Sequence, residues 1–484
     1  MISYKSLLSV LLIAMTACCQ SGETYYTKSV TFPEGATADE KVELAACVVP
    51  TPEQLKWQSL ELTAFLHFGM NTFTGNEWGN GTDSPDLFNP TELDCRQWVR
   101  ALKDGGFRMA ILTAKHHDGF CLWPTATTEY SVKNSPWKDG QGDVVRELKE
   151  ACEEYGLEFG FYLSPWDRNA LSYGDSPAYN KFFISQLTEL LTNYGKVSEV
   201  WFDGACGEGP NGKRQVYDWP SILETVHSLQ PEAVTAIMGD DIRWVGNEGG
   251  LGRETEWSAT AYTPLSLERG PEQNRALGLQ EMSRDLGSRE LIAKAQEVTW
   301  YPSEVDVSIR PGWFYHEYED SKVRSLENLV DIYYTSVGRN SVLLLNIPPD
   351  TRGLIHETDA ARLRELNDYL EVTFDTDLLI KGVKSWKADS GESKVMKVKP
   401  DTKFNTLKIR EDITKGQRVE EFYLEVLKGD KWEKIAEGTT IGYNRLLRFP
   451  DTSAEKIRVT VVSARKTAFI SEIGLYYAPE IAAE

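Results

Sequence analysis

The chain has 484 residues, enough for one large domain and a smaller one, and its 41% hydrophobic and 26% charged residues match the composition of water-soluble globular proteins. A net charge of −21 argues against nucleic acid and anionic membrane surfaces as partners, since both would be repelled. The 14 Trp, 21 Tyr and 18 Phe are a rich aromatic supply, many of which a core can absorb, while exposed ones are also how proteins stack on sugar rings.

In chain order, the first segment reads as a leader. Lys5 is a short positive region, and "LLSVLLIAM" (7–15) is apolar but too short to span a bilayer. "MTAC" (15–18) resembles the lipobox of bacterial lipoproteins. Residues 1–17 are therefore expected to be removed, Cys18 to carry a lipid anchor as the only link to a membrane, and the protein to be exported to the periplasm or outer membrane. Residues 18–50 are expected to be a tether. Beyond Cys19, the five cysteines Cys47, Cys95, Cys121, Cys152 and Cys206 are odd in number, widely spaced and without a CxxC, which fits neither a disulfide framework nor a zinc knuckle.

From residue 51 a strand-then-helix rhythm sets in. Apolar strands are predicted at 62–69, 108–115, 157–164, 198–204, 233–240, 297–308 and 341–349. Helices are predicted at 94–106 (Asp94 as N-cap, Gly105 and Gly106 as stop), 143–156, 179–195, 218–230, 322–338 and 359–372. The strands are apolar without alternation, as strands buried on both faces must be. Their regular succession with helices predicts an α/β fold, a (β/α)8 TIM-like barrel, over 51–371, and no GxGxxG follows the first strand. From 372 to 484 the pattern alternates, as in "KIRVTVVSA", which predicts an antiparallel β-sandwich.

A barrel of this kind builds its site at the C-terminal ends of its strands. Reading those ends gives His67 and, in the following loop, Glu77 and Trp78; then His116, His117 and Asp118; Tyr162; Trp201 and Asp203; Glu248 in "IRWVGNEGG", after the fifth predicted strand; and Trp313 in "RPGWFYH". Indole faces for the apolar side of a ring, with imidazoles and carboxylates for its hydroxyls, describe a sugar pocket. Adjacent His116 and His117 would point to opposite sides of an extended chain, so one should face the pocket and the other pack beside it. Asp203 has a second reading as a helix N-cap. A metal-dependent hydrolase would also use histidine and aspartate at strand ends, and a non-catalytic glycan-binding lipoprotein could use the same pocket.

"HFGMNTF", "AKHHDGF", "VWFDG", "RPGWFYH" and "LLLNIPPDTRGLI" resemble, in order, the motifs of the alpha-L-fucosidases of glycoside hydrolase family 29 over roughly residues 55–360. The resemblance implies a retaining exo-glycosidase with Asp203 as nucleophile and with His67, His116 and His117 on fucose. Glu77, Trp78, Tyr162, Trp201 and Trp313 complete the expected substrate contacts. One branch carries its acid/base in a motif like "RWVGNE", which points to Glu248, 248 − 203 = 45 positions after Asp203, with Glu254 or Glu256 next in line. That branch prefers alpha-1,3- and alpha-1,4-linked fucose on branched, Lewis-type glycans. A retaining mechanism needs its two carboxyl groups about 5–5.5 Å apart and requires neither metal nor cofactor. The C-terminal region resembles galactose-binding, discoidin-like sandwiches.

Overall fold

The computed structural model describes residues 26–267 and 270–481. The leader, Cys18 and Cys19 lie outside the described residues. Among those described, no helix is long and apolar enough to cross a membrane.

Eight parallel strands form the barrel: Leu62–Leu66, Met109–Lys115, Glu158–Leu163, Glu199–Phe202, Val234–Ile237, Arg243–Trp244, Ser303–Ser308 and Val342–Asn346. They are called the first to eighth strands below. The sheet runs fifth, fourth, third, second, first, eighth, seventh, sixth, and the parallel bridge between Ala236 and Ile242 joins its two edges. Every residue of the first, second, fourth and eighth strands is buried, as the absence of alternation requires.

The helices sit where their end signals place them. Asp94 accepts from the Arg96 N–H to cap Cys95–Asp104, and Asp143 accepts from the Arg146 N–H to cap Val144–Tyr155. Gly156 ends the latter in the left-handed region at φ 78°. Asp218 caps Trp219–Leu229, and Glu357–Phe374 follows the eighth strand.

Three expectations are corrected. The sixth strand has only two residues, and five residues separate it from the fifth, too few for a crossover helix. Strict alternation therefore fails at the seam of the barrel. The predicted strand 297–308 is two strands. Glu297–Trp300 pairs antiparallel with Ser29–Thr31 and Ala259–Thr260, and Ser303–Ser308 is the seventh barrel strand. Pro302, which has no N–H for a ladder, lies in the gap. Residues 26–50 are not a free tether. Thr37 and Glu40 form a capping box for helix Ala38–Ala45, and Val30, Phe32, Val42 and Val48 share a core with Val298 and Trp300.

The C-terminal part is a sandwich of two four-stranded antiparallel sheets. One holds Trp386–Ala388, Ala468–Tyr476, Phe404–Glu411 and Arg445–Thr452 in that order. The other holds Ser393–Lys397, Lys456–Ala464, Val419–Lys428 and Lys431–Gly438. Leu407, Ile409, Phe422, Leu424, Val459 and Ile473 fill a core separate from that of the barrel.

Candidate active site

A cavity of about 460 Å³ opens at the C-terminal ends of the barrel strands. His67, Glu77, Trp78, His116, His117, Tyr162, Trp201, Asp203, Glu248 and Trp313, the side chains singled out from the sequence, all line it.

Asp203 follows the fourth strand. Its Oδ2 accepts from the Tyr162 hydroxyl at 3.0 Å, and its Oδ1 from the Ala205 N–H at 2.8 Å. No helix starts there, the next beginning at Trp219, so the N-cap reading of Asp203 does not apply. Burial, and after it the neighbouring Asp203 charge, hold the Tyr162 phenol well above its ordinary range, so it keeps the proton it donates. The Tyr162 ring stacks on Trp201 at 5.3 Å and on His116 at 5.6 Å. Below the cavity the Trp201 indole N–H donates to Glu304 at 2.7 Å, and Trp57 donates in the same way to Glu199 at 2.7 Å. Burial raises both acids, Glu199 to about 8, so the facing carboxyls retain a proton between them.

The second strand ends at Lys115, and the chain leaves the extended conformation at once. His116 and His117 therefore do not diverge. Their ring centroids lie 4.2 Å apart and both face the cavity, which corrects the expectation of one inward and one packed ring. Ser164 donates its hydroxyl to the Trp166 carbonyl at 2.6 Å, so its oxygen accepts from His117 Nδ1 at 2.7 Å. His117 Nε2 stands 3.6 Å from Asp203 Oδ2, too long for a direct hydrogen bond. The Asn346 side-chain oxygen accepts from the His67 backbone N–H at 3.3 Å and from His67 Nδ1 at 2.8 Å, which leaves Nε2 as an acceptor. Burial lowers all three histidines, His67 to about 3, so all are neutral near pH 7.

Glu77 fixes the opposite wall. Its carboxylate accepts from the Trp313 backbone N–H and from His316 Nε2, both at 2.8 Å. Trp313 in turn points its indole N–H at Glu248 Oε2, 3.3 Å away. Glu248 and Trp78 are exposed at the mouth, with Trp78 edge-on to His117 and Trp166. Glu248 follows the sixth strand, not the fifth as predicted, so the fifth strand separates it from the strand of Asp203, although both carboxylates line one cavity. Glu254 and Glu256, next in line as acids, do not line it. Glu256 is buried against Arg243 and Arg253, and Glu254 pairs with Arg339 and Arg445.

Several cavity residues were not foreseen. Arg243 is buried, gives Nε to the Tyr301 carbonyl at 2.9 Å and Nη2 to Glu256, and leaves a buried Nη1 without a partner among the described residues. Asp306 accepts from the Trp244 indole at 2.7 Å, and burial holds its carboxyl well above the carboxylate range. Tyr262 donates to Glu281 at 2.9 Å on the same wall. Arg243 stands in a two-residue strand and Tyr262 and Glu281 in irregular segments, where no periodicity could mark them.

Comparison with known proteins agrees with this geometry. The alpha-L-fucosidase family model matches residues 52–374. Alpha-L-fucosidase 1 of Arabidopsis thaliana is 42% identical over 461 residues, covering 88% of this chain and 87% of its own. The crystal structure of a Bacteroides ovatus protein is 61% identical with a TM-score of 0.93, covering 96% of this chain and 80% of that one. A Ruminococcus gnavus glycoside hydrolase family 29 fucosidase, solved in complex with fucose, is 31% identical with a TM-score of 0.78, covering 93% of this chain and 98% of its own. With the barrel, the cavity and these likenesses in agreement, the chain belongs to the alpha-L-fucosidases, glycoside hydrolase family 29.

Proposed function

We propose that the protein removes terminal alpha-L-fucose from fucosylated glycans with retention of configuration, preferring alpha-1,3- and alpha-1,4-linked fucose on branched, Lewis-type structures. The observation that carries this reading is the oriented Asp203 carboxylate in a cavity that Glu248 also lines. Asp203 attacks the anomeric carbon while Glu248 gives its proton to the departing glycosidic oxygen; the bond to the aglycone breaks and a fucosyl ester of Asp203 forms. Glu248, now a carboxylate, takes a proton from water, whose oxygen displaces Asp203 and releases fucose. His67, His116 and His117 act as neutral hydrogen-bonding groups on the fucose hydroxyls, with Glu77, Trp78, Tyr162, Trp201 and Trp313 as the rest of its cradle. No step calls for a metal or cofactor. The binding of fucose by the Ruminococcus gnavus relative supports the choice of sugar. The export and lipid anchoring read from residues 1–18 belong to the same proposal, and Cys18→Ala should move the protein from the membrane to the soluble fraction.

The test is a panel of fucosylated oligosaccharides of defined linkage, with released fucose measured for wild type and for Asp203→Ala. Alpha-1,3 and alpha-1,4 linkages should be cleaved well and alpha-1,2 poorly, and Asp203→Ala should lose on the order of 10³-fold or more in turnover while keeping the fold. Efficient alpha-1,2 cleavage would refute the linkage preference, and an active Asp203→Ala enzyme would refute the nucleophile.

A further inference from the structure

We infer that the C-terminal sandwich holds the Glu248 loop in register with Asp203, so that sandwich residues Thr440, Gln417 and Arg445 are positioning residues for the general acid; the inference rests on the reading of Glu248 as acid/base. The loop leaves the sixth strand, where the Arg243 N–H is bonded to the Pro302 carbonyl at 3.0 Å and the Val245 N–H to Glu304 at 2.9 Å. That end is fixed by the barrel. Residues 246–253 separate it from a stretch that the sandwich fixes, and within them Gly250 and Gly252 also bond to Thr335 beside the eighth strand.

The second anchor runs from Glu254 to Ser258, and three separate segments of the sandwich hold it. Thr440 Oγ1 accepts from the Glu256 N–H at 3.0 Å. Gln417 gives its side-chain N–H to the Glu256 carbonyl and accepts from the Ser258 N–H, each at 2.8 Å. Arg445 gives Nη1 to the Glu254 carbonyl at 2.7 Å and Nη2 to the Glu254 carboxylate, and Thr439 gives its hydroxyl to the same carbonyl at 3.0 Å. Thr440, Gln417 and Arg445 are buried at 1%, 1% and 2% exposure, so water cannot replace these bonds.

The same anchor reaches the cavity by a second route. Glu256, whose main chain the sandwich grips at both N–H and C=O, binds the guanidinium of Arg243, which lines the cavity. The turn before the eighth strand is joined to the sandwich as well: the Asn340 N–H donates to the Asn444 carbonyl at 2.9 Å, and Asn340 Oδ1 accepts from the Tyr443 N–H at 2.7 Å. A surface that only covered the barrel would not need buried side chains directed at the main chain of one short stretch. An exposed carboxyl on a loop bearing Gly246, Gly249 and Gly250 depends on what fixes the chain on either side of it: the barrel strand before it, and after it Thr335 of the barrel followed by the stretch that the other domain grips.

Thr440→Val, Arg445→Met and Arg445→Lys, each made in the full chain, test this. The substrates are an unactivated fucosyl oligosaccharide, whose leaving group needs a proton, and an aryl fucoside of an acidic phenol, which needs little. In Thr440→Val and Arg445→Met, kcat on the oligosaccharide should fall about tenfold or more while kcat on the aryl fucoside changes little. Arg445→Lys should recover part of the loss. In a Glu248→Ala background Thr440→Val should add no further loss, because the group it positions is gone. Equal losses on both substrates would show that the sandwich serves only the fold, and an additive loss in the Glu248→Ala background would show that it acts on something other than Glu248; either overturns the inference. Should Arg445→Met fail to fold, Thr440→Val carries the same comparison. Glu248→Ala alone keeps the two readings apart. If it shows no dependence on the leaving group, the assignment of the acid falls and the inference with it. If it does and Thr440→Val does not, the inference alone falls.

Discussion

His67, His116 and His117 stand in a space shielded from water, where an imidazolium would lose more hydration than its surroundings return, even at His117 with Asp203 nearby. Each therefore offers a neutral ring, with the role of one nitrogen fixed at His67 by Asn346 and at His117 by Ser164. This has a cost at low pH. Unfolded, His67 takes a proton at the ordinary 6.5, whereas in the native protein it does so only near 3. The folded state binds fewer protons through that window, so stability present above pH 6.5 is lost as the pH falls toward 3. Asp118 works in the other direction: burial lifts it from 3.8 to about 7, and the stability it contributes is lost as pH rises between those values. Comparison of wild type with His67→Gln cancels the Asp118 contribution, which both share. The variant should show a shallower fall of Tm between pH 6.5 and 4, measured by thermal melts; parallel curves would mean that His67 takes up its proton alike in the native and unfolded states.

Among the elements, the third and fourth strands set the position of Asp203. Gly160 lies where they pair, opposite Glu199, and a Cβ there would come within 2.9 Å of the Glu199 carbonyl oxygen and 3.1 Å of Ile111 Cγ1. Neither can retreat, since one is strand backbone and the other core. Gly160→Ala should therefore destabilise the protein by about 1–3 kcal/mol and, by shifting the strand that ends at Asp203, lower kcat more than it raises KM. Denaturant melts and steady-state kinetics would check both. An alanine variant of full stability would show that the barrel relaxes there at no cost. The same stretch explains why glycine stands in "EFGFYL", a position otherwise suited to a bulky strand residue.

For the molecule as a whole, two apolar cores meet across a mixed seam, where Leu446 of the sandwich enters the barrel cluster and Phe374 packs on Tyr476 at 5.2 Å. The barrel and sandwich clusters are separate, and between them run hydrogen bonds and ion pairs such as Arg445 to Glu254. Phe422 is fully buried in the sandwich core, and Phe422→Ala should cost about 3–5 kcal/mol there. Calorimetry should then resolve two transitions, the sandwich melting first, with hydrolysis of unactivated fucosides lost at that first transition. One transition for both cores would show that the seam welds them into a single cooperative unit.

What could be read from the sequence is what depends on neighbours a few residues apart. The caps at Asp94, Asp143 and Asp218, the apolar strands ending at Leu66, Lys115 and Phe202, and the switch to alternation after residue 372 are local signals, and the strand ends placed His67, His116, His117 and Asp203 in one cavity because a parallel barrel brings such ends together. The motif around Glu248 was legible for the same reason, since it is contiguous. The tertiary structure alone decided the rest. A two-residue strand at Arg243–Trp244 has no period to detect and exists only because Ser303–Glu304 lies beside it. The burial of residues 26–50 depends on a core supplied by residues 259–300, more than two hundred positions away. Arg243 and Asp306 face the cavity because of how the seventh strand packs at the seam, Glu254 is taken out of it by arginines from distant segments, and Glu256 by the burial of Arg243 and Arg253 around it. Burial and pairing are sums over contacts distant in sequence, so they fix which acids remain free to react only once the chain has folded.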